Sequence, residues 1–331
     1  MRRRDVITLL VGLSAIWPHA SIAETSRTRR IGMLLGLAEA DPEMAPRITA
    51  FRQGLEELGW SEERNLHIDY RWTSGASGRM QVLAKELVAL QPDVLIASSS
   101  PTAAALLRET RTTPIVFVTA ADPIGDGFVA SLARPGGSAT GFTNNIASMA
   151  GKWVELLKEV APHVTRIAVM FNPDTAPGGA GSYFLGPLET AAGAMKMKSA
   201  ATPVRDVAGI DQALASIGRE PGGGLIVMPD NFTAVYRAPL IAAAARNRVP
   251  AVYPFRYFAT DGGLVGYGAD LHDLYRRTAT YVDRILKGTS PGDLPVQAPA
   301  KFELVVNLRA AKALNLTVPR ILLARADEVI E

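Results

Sequence analysis

The chain has no cysteine in its 331 residues. This excludes disulfides, thiolate metal sites and a lipid tether on an N-terminal cysteine. Histidine is scarce: His19, His67, His163 and His272 fall in unrelated segments, with no metal-ligand spacing. No GxSxG elbow occurs, nor a GxxxxGKS or GxxxxGKT phosphate loop. The first strand-to-helix turn, IGMLLGLAEADPE, lacks GxGxxG, which argues against a dinucleotide enzyme. A surplus of charge is missing too. The formal net charge is +3, and Arg2, Arg3, Arg4 and Asp5 account for two of those units. Nothing here favours nucleic acid or an anionic membrane.

What is present begins with an export signal. MRRRDVITLLVGLSAIWPHASIAET has a basic start, an apolar stretch from Val6 to Trp17 and a small-residue exit. Ser21-Ile22-Ala23 fits cleavage after Ala23. The adjacent arginines loosely match a twin-arginine signal, and Asp5 stands close behind them. The apolar stretch is too short for a permanent bilayer span. An exported, untethered chain with no lipid anchor is expected in the periplasm, with secretion as the other destination.

After Ala23, short apolar runs alternate with helical periodicity. RRIGMLLGL, NLHIDYRW, DVLIAS and TPIVFVTA read as strands, and PRITAFRQGLEELGW and MQVLAKELVAL as helices between them. The pattern restarts with MAGKWVELLKEVAP, TRIAVMFNP, GPLETAAGAMKM, GGLIVMPDN, APLIAAAARNRVP and PAVYPF. The fold class expected is α/β: two Rossmann-like, doubly wound lobes. The remaining pieces, GGLVGYG, HDLYRRTATYVDRILKG and DLPVQAPAKFELVVN, fit a chain that crosses back and returns. That gives a three-crossing hinge, with lobe one at 24–143 plus 262–291 and lobe two at 144–261 plus 292–331.

Ligands in open α/β sheets bind beyond the carboxyl ends of the strands. Residues just after each strand are therefore the candidates. Ser98, Ser99 and Ser100 stand between a strand and a helix opened by Pro101, where free N–H groups and the helix dipole favour an anion. A cap and a pocket are equally good readings of them. Thr119, Asp122, Asn172, Asp230, Asn231, Tyr253 and Arg256 follow other strands, and Thr143, Asn144 and Tyr267 fall at the hinge. Asp122 or Asp230 suits an ammonium group, and Arg256 or the serines a carboxylate. Each also has a plain reading. Asp122 before Pro123 starts a turn, Asp230 caps a helix, and Arg256 pairs with a surface acid.

Longer motifs carry a resemblance. ITAFRQGLEELGW, QPDVLIASSSPTAAAL, PIVFVTAADPIGDGFVASLARPGGSATGF, GGLIVMPDNFTA and RVPAVYPFRYFATDGGLVGYGAD recur together with YVDRILKGTSPGDLPVQAPAKFELVVNLRAAKALNLTVP. From RRIGMLLGL to RADEVIE, the chain resembles ABC transporter substrate-binding proteins of the tryptophan-binding-like family, with the type I periplasmic binding protein fold. The resemblance implies a monomer that captures a small solute by hinge closure and delivers it to a permease with a separate ATPase. It implies no cofactor, no metal, no catalysis and no membrane insertion. By position it favours Ser99, Ser100, Asp122, Asn172, Asp230 and Asn231 as ligand contacts. This chain has DTAPGGAGS where the aromatic amino-acid binders carry an Asn-Ser run, and AEADPE where many have an acidic–His pair. An aromatic amino acid and a related acid both stay open as ligands. A ligand sensor for a membrane kinase is the alternative function, and an exported hydrolase on the same fold a weaker one.

Overall fold

The structure, a computed structural model, describes residues 27–75, 77–144, 148–176 and 181–331. The export signal expected at residues 1–23 lies outside them. No helix among the described residues is long and apolar enough to cross a membrane.

Two sheets form. The smaller holds β1 (Arg29–Leu35), β2 (Leu66–Trp72), β3 (Val94–Ala97), β4 (Ile115–Ala120) and β5 (Ala139–Thr143), ordered β2-β1-β3-β4-β5. All its pairs are parallel. The larger holds β6 (Arg166–Phe171), β7 (Lys198–Pro203), β8 (Gly223–Val227), β9 (Ala251–Tyr253), β10 (Val265–Ala269), β11 (Phe302–Asn307) and β12 (Glu328–Ile330). Its order is β12-β11-β10-β9-β8-β6-β7, with β10 and β11 antiparallel. From β7 to β10 it repeats the order of the smaller sheet. Each lobe thus has a switch point, between β1 and β3 and between β6 and β8. Loops on either side part there and leave a crevice.

Helices cover both sheets. The first lobe has α1 (Met44–Glu57), α2 (Ser77–Ala89) and α3 (Ser100–Glu109). The second has α4 (Met149–Val160), α5 (Ser182–Ala194), α6 (Val207–Arg219), the short α7 (Asn231–Val235), α8 (Arg237–Arg246) and the short α9 (Arg256–Thr260). Then come α10 (Leu271–Leu286), α11 (Leu308–Ala313) and α12 (Arg320–Arg325). Their apolar stripes explain them. In α10, Leu271, Leu274, Thr278, Val282 and Ile285 recur at helical spacing and are buried. Asp270 caps that helix by accepting the Asp273 N–H at 3.0 Å. In α4, Met149, Trp153, Leu157 and Val160 do the same, and the Trp153 indole N–H donates to the Tyr267 carbonyl at 2.8 Å.

The hinge needs a correction to the boundaries drawn from sequence. β10 pairs with β9 and β11 in the larger sheet, whereas 262–291 had been given to lobe one. The crossing back follows Ala269. Then α10 packs on α1, where the Trp60 indole N–H donates to Asp283 at 2.9 Å. The chain runs beside β5, with Gln297 bridging Phe142, before it returns to β11. Strand pairing sets these points, and a strand's apolar pattern does not name its neighbour. Some elements escaped the sequence reading altogether. β7 is a largely exposed edge strand without an apolar run, and β5 lies inside GGSATGFTNN, read as a join.

Gly141 in β5 has φ +149°, and a Cβ there would lie 1.9 Å from the Phe117 carbonyl oxygen of β4. Backbone cannot yield as a side chain can. Gly141→Ala is therefore expected to destabilise the protein by at least about 2 kcal/mol. Thermal unfolding checks this, and a melting temperature within about 1 °C of wild type contradicts it.

Candidate functional site

The two switch points face each other across one cavity of about 630 Å³ of empty space, its mouth included. Lobe one contributes the loop after β1, the serines after β3, Thr119 at the end of β4, and side chains from α1 and α10. Lobe two contributes Thr175 after β6, Pro229 to Asn231 after β8, and Phe255 and Tyr257 after β9. Asn144, at the first crossing, also lines it.

The three serines serve as both cap and pocket. Ser98 Oγ accepts the Gly36 N–H at 2.8 Å, and the Ser98 carbonyl accepts from the Thr119 hydroxyl. Ser99 is the N-cap of α3, its N–H donating to Thr102 Oγ1 at 2.9 Å. Ser100 Oγ accepts the Ala121 N–H at 3.4 Å. All three still line the cavity, with the positive end of α3 behind them.

Across from them is Asp230, a buried carboxylate. It caps α7 by accepting the Thr233 N–H at 2.7 Å. It also accepts the Asn172 N–H at 3.0 Å and the Thr175 hydroxyl at 3.3 Å. Among the described residues no cation pairs with it. Burial pushes its pKa up to about 6, and those donors only partly offset the effect. A buried carboxylate bordering a cavity, with donors but no counter-charge, is suited to an ammonium group.

Arg47 of α1 was not foreseen. It is 5% exposed, pairs with Glu43 at 2.9 Å, and lies with its guanidinium carbon 5.2 Å from the Tyr257 ring centre. Its Nε is buried without a hydrogen-bond partner among the described residues. One signal could have found it. Met44, Arg47, Phe51 and Leu55 share the apolar spacing of α1, so the arginine interrupts a buried stripe.

Of the residues expected from sequence, Ser98, Ser99, Ser100, Thr119, Asn144, Asp230 and Asn231 line the cavity. The others do not. Asp122 accepts the Gly125 N–H at 2.9 Å, the plain turn reading. Asn172 forms an Asx turn, accepting the Asp174 N–H at 2.8 Å, and reaches the site only through Asp230. Arg256 turns away to Glu303 at 3.5 Å and Glu328 at 2.5 Å. Tyr253 is core, stacked on Phe258 at 5.2 Å, and Tyr267 stacks on Phe302 at 6.1 Å. Thr143 is held in the hinge by its N–H to the Gln297 carbonyl at 2.9 Å. PAVYPF had been read as one strand, but β9 ends at Tyr253 and α9 begins at Arg256. That turn stacks Phe255 on Tyr257 at 5.5 Å and brings both to the cavity.

The lobes touch around the site. Asn231 Nδ2 donates to the Gly36 carbonyl at 3.4 Å. Arg237 of α8 reaches over to Asp41 of lobe one at 2.6 Å while holding Asp261 at 2.7 Å. Its guanidinium lies 5.4 Å from the Tyr257 ring centre, so arginines from both lobes approach one tyrosine.

Comparison with known proteins places this geometry. A family model described as ABC transporter substrate binding protein matches residues 40–330. A tyrosine-binding protein of Clostridioides difficile is 25% identical over 267 residues, 80% of this chain and 75% of that protein. A conserved domain protein of Vibrio cholerae is 30% identical, with a TM-score of 0.84 over 92% of this chain and all of that one (100%). The ABC domain from Streptococcus pneumoniae, solved with L-Trp, has the same fold at 24% identity and a TM-score of 0.84, over 92% and 100% of the two chains.

Arg237 is nearly buried, so removing it leaves the nearly buried Asp41 carboxylate at the seam without its cation. Arg237→Met is expected to cost about 2 kcal/mol in urea unfolding, with the loss shrinking at high salt. A loss below about 0.5 kcal/mol contradicts the role given to this pair.

Proposed function

Because the chain belongs to the family of ABC transporter substrate-binding proteins, we propose that it captures an aromatic amino acid or a related acid between its lobes. The ligand is passed to a membrane permease powered by a separate ATPase. The chain works in the periplasm as an exported monomer, and the function involves no covalent step.

The observation that carries this reading is Asp230. The cleft holds a carboxylate that pairs with no cation among the described residues, with hydroxyls and the α3 N-terminus on the facing wall. An amino acid supplies an ammonium for Asp230 and a carboxylate for the Ser99–Ser100 side. Phe255, Tyr257 and Tyr275 offer faces for an apolar or aromatic side chain. The relatives named for tyrosine and solved with tryptophan support the same ligand class.

Closure follows from the same charge. When the lobes part, Asp230 regains water and its pKa falls back toward the ordinary carboxylate range. Closing keeps it at about 6, so a closed cleft with no cation beside Asp230 carries an electrostatic cost at neutral pH. An ammonium ligand removes that cost, and it biases the hinge toward closure in proportion.

The reading is tested by a thermal-shift screen of Glu24–Glu331 against amino acids and aromatic acids. A rise in melting temperature with an aromatic amino acid is expected, by mass action on the folded state. No shift with any amino acid or organic acid overturns the reading. The pH dependence has a definite sign. Since closure raises the Asp230 pKa, protonation favours the closed form. That preference is fully present below about pH 4 and lost as pH climbs through about 6. Dyes on the two lobes should show the ligand-free protein more closed at pH 5 than at pH 8. Asp230→Asn should abolish the difference, and a pH response that survives in that variant contradicts it.

A further inference from the structure

The cavity has two distinct ends. Ser100, Pro101 and Thr175 are shared with an outer groove, so they mark the mouth. Phe255, Tyr257 and Leu271 are shared with a small void near the hinge, so they mark the inner end. The Thr175 hydroxyl bonds Asp230, which puts the carboxylate on the mouth side with the serines. Arg47, against Tyr257, is at the inner end. Tyr275 lies between them, its phenol within reach of both the Arg47 charge and the Ser98 hydroxyl.

An amino acid carries its ammonium and carboxylate on one carbon. Both are met at the mouth, by Asp230 and by the Ser99–Ser100 turn. What reaches Arg47 is therefore the far end of the side chain. We propose that Arg47 is a specificity-determining residue that selects an aromatic amino acid bearing a neutral hydrogen-bond acceptor at the tip of its ring. This rests on the amino-acid reading above.

Two features of Arg47 carry the selection. Its Nε–H is buried and unpartnered among the described residues, so a ligand tip that accepts a hydrogen bond gives that donor its missing partner. Its charge is already matched by Glu43 at 2.9 Å. A second carboxylate on the ligand would face Glu43 without a free cation, whereas a phenol oxygen adds no charge. Around it, Met44, Tyr257, Leu271 and Tyr275 give an apolar, ring-sized wall. A phenylalanine ring would fit there and leave the donor unpaired. An indole offers only another donor.

The test is calorimetric titration of the protein with tyrosine, phenylalanine and tryptophan, repeated on Arg47→Met and Arg47→Lys. Wild type is expected to bind tyrosine about 10- to 100-fold more tightly than phenylalanine. In Arg47→Met that ratio should fall to within about twofold, and Arg47→Lys, which lacks the fixed Nε–H, should also lose most of it. Circular dichroism and melting of each variant establish that it folds. If Arg47→Met does not fold, Arg47→Lys decides alone. Equal wild-type affinity for tyrosine and phenylalanine overturns the inference while leaving amino-acid capture intact, as does a ratio unchanged in the variants. Binding of no amino acid overturns both.

Discussion

A carboxylate taken out of water with no cation beside it is unfavourable, and the second lobe is built around one. Asp230 gathers the Thr233 N–H, the Asn172 N–H and the Thr175 hydroxyl, which ties the loop after β6 to the loop after β8. These donors shape the loops without neutralising the charge. In the proposed function a cation entering from the cleft completes the site. In that reading the interaction links a local cap to the position of a whole lobe, because opening the cleft returns water to the charge.

The first lobe supplies the complement. Its serines stand on a helix N-terminus, where donors and dipole favour negative charge, and its buried Arg47 is already balanced by Glu43. Duplication of strand order is what sets the two walls opposite each other. β1 and β3 in one sheet match β6 and β8 in the other, so the crevices meet when three crossings fold the lobes together. Asn231 against Gly36 and Arg237 against Asp41 close the seam around the cavity. Gly36 has no room for a side chain there, since a Cβ would lie 2.2 Å from Asn231 Oδ1.

Much of this was legible in the sequence because strand-to-helix junctions announce themselves. DVLIASSSP and GGLIVMPDN place Ser98–Ser100 and Asp230–Asn231 at strand ends, and a parallel fold then carries them to a crevice. What escaped was information held in pairs distant along the chain. Arg256 looks free in RVPAVYPFRYF, yet its partners Glu303 and Glu328 arrive with β11 and β12. Tyr253 and Tyr267 lie within strands, but Tyr253 is buried in the core and Tyr267 is half-buried against Phe302. Arg47 and Tyr275 lie on helices that reach over the cleft, and the strand-end rule does not point to helices. The placement of β10 was lost for the same reason, since only pairing with β9 and β11 fixes its sheet.

The most direct measurement compares two ligands that differ only in the ammonium group. Small-angle scattering from Glu24–Glu331 would be recorded with tyrosine and with 3-(4-hydroxyphenyl)propionate, each at saturation. The account predicts a smaller radius of gyration with tyrosine and little or no compaction with the deaminated acid, because only tyrosine carries the ammonium that Asp230 needs. Equal compaction by both would contradict it, and would move the cause of closure away from Asp230.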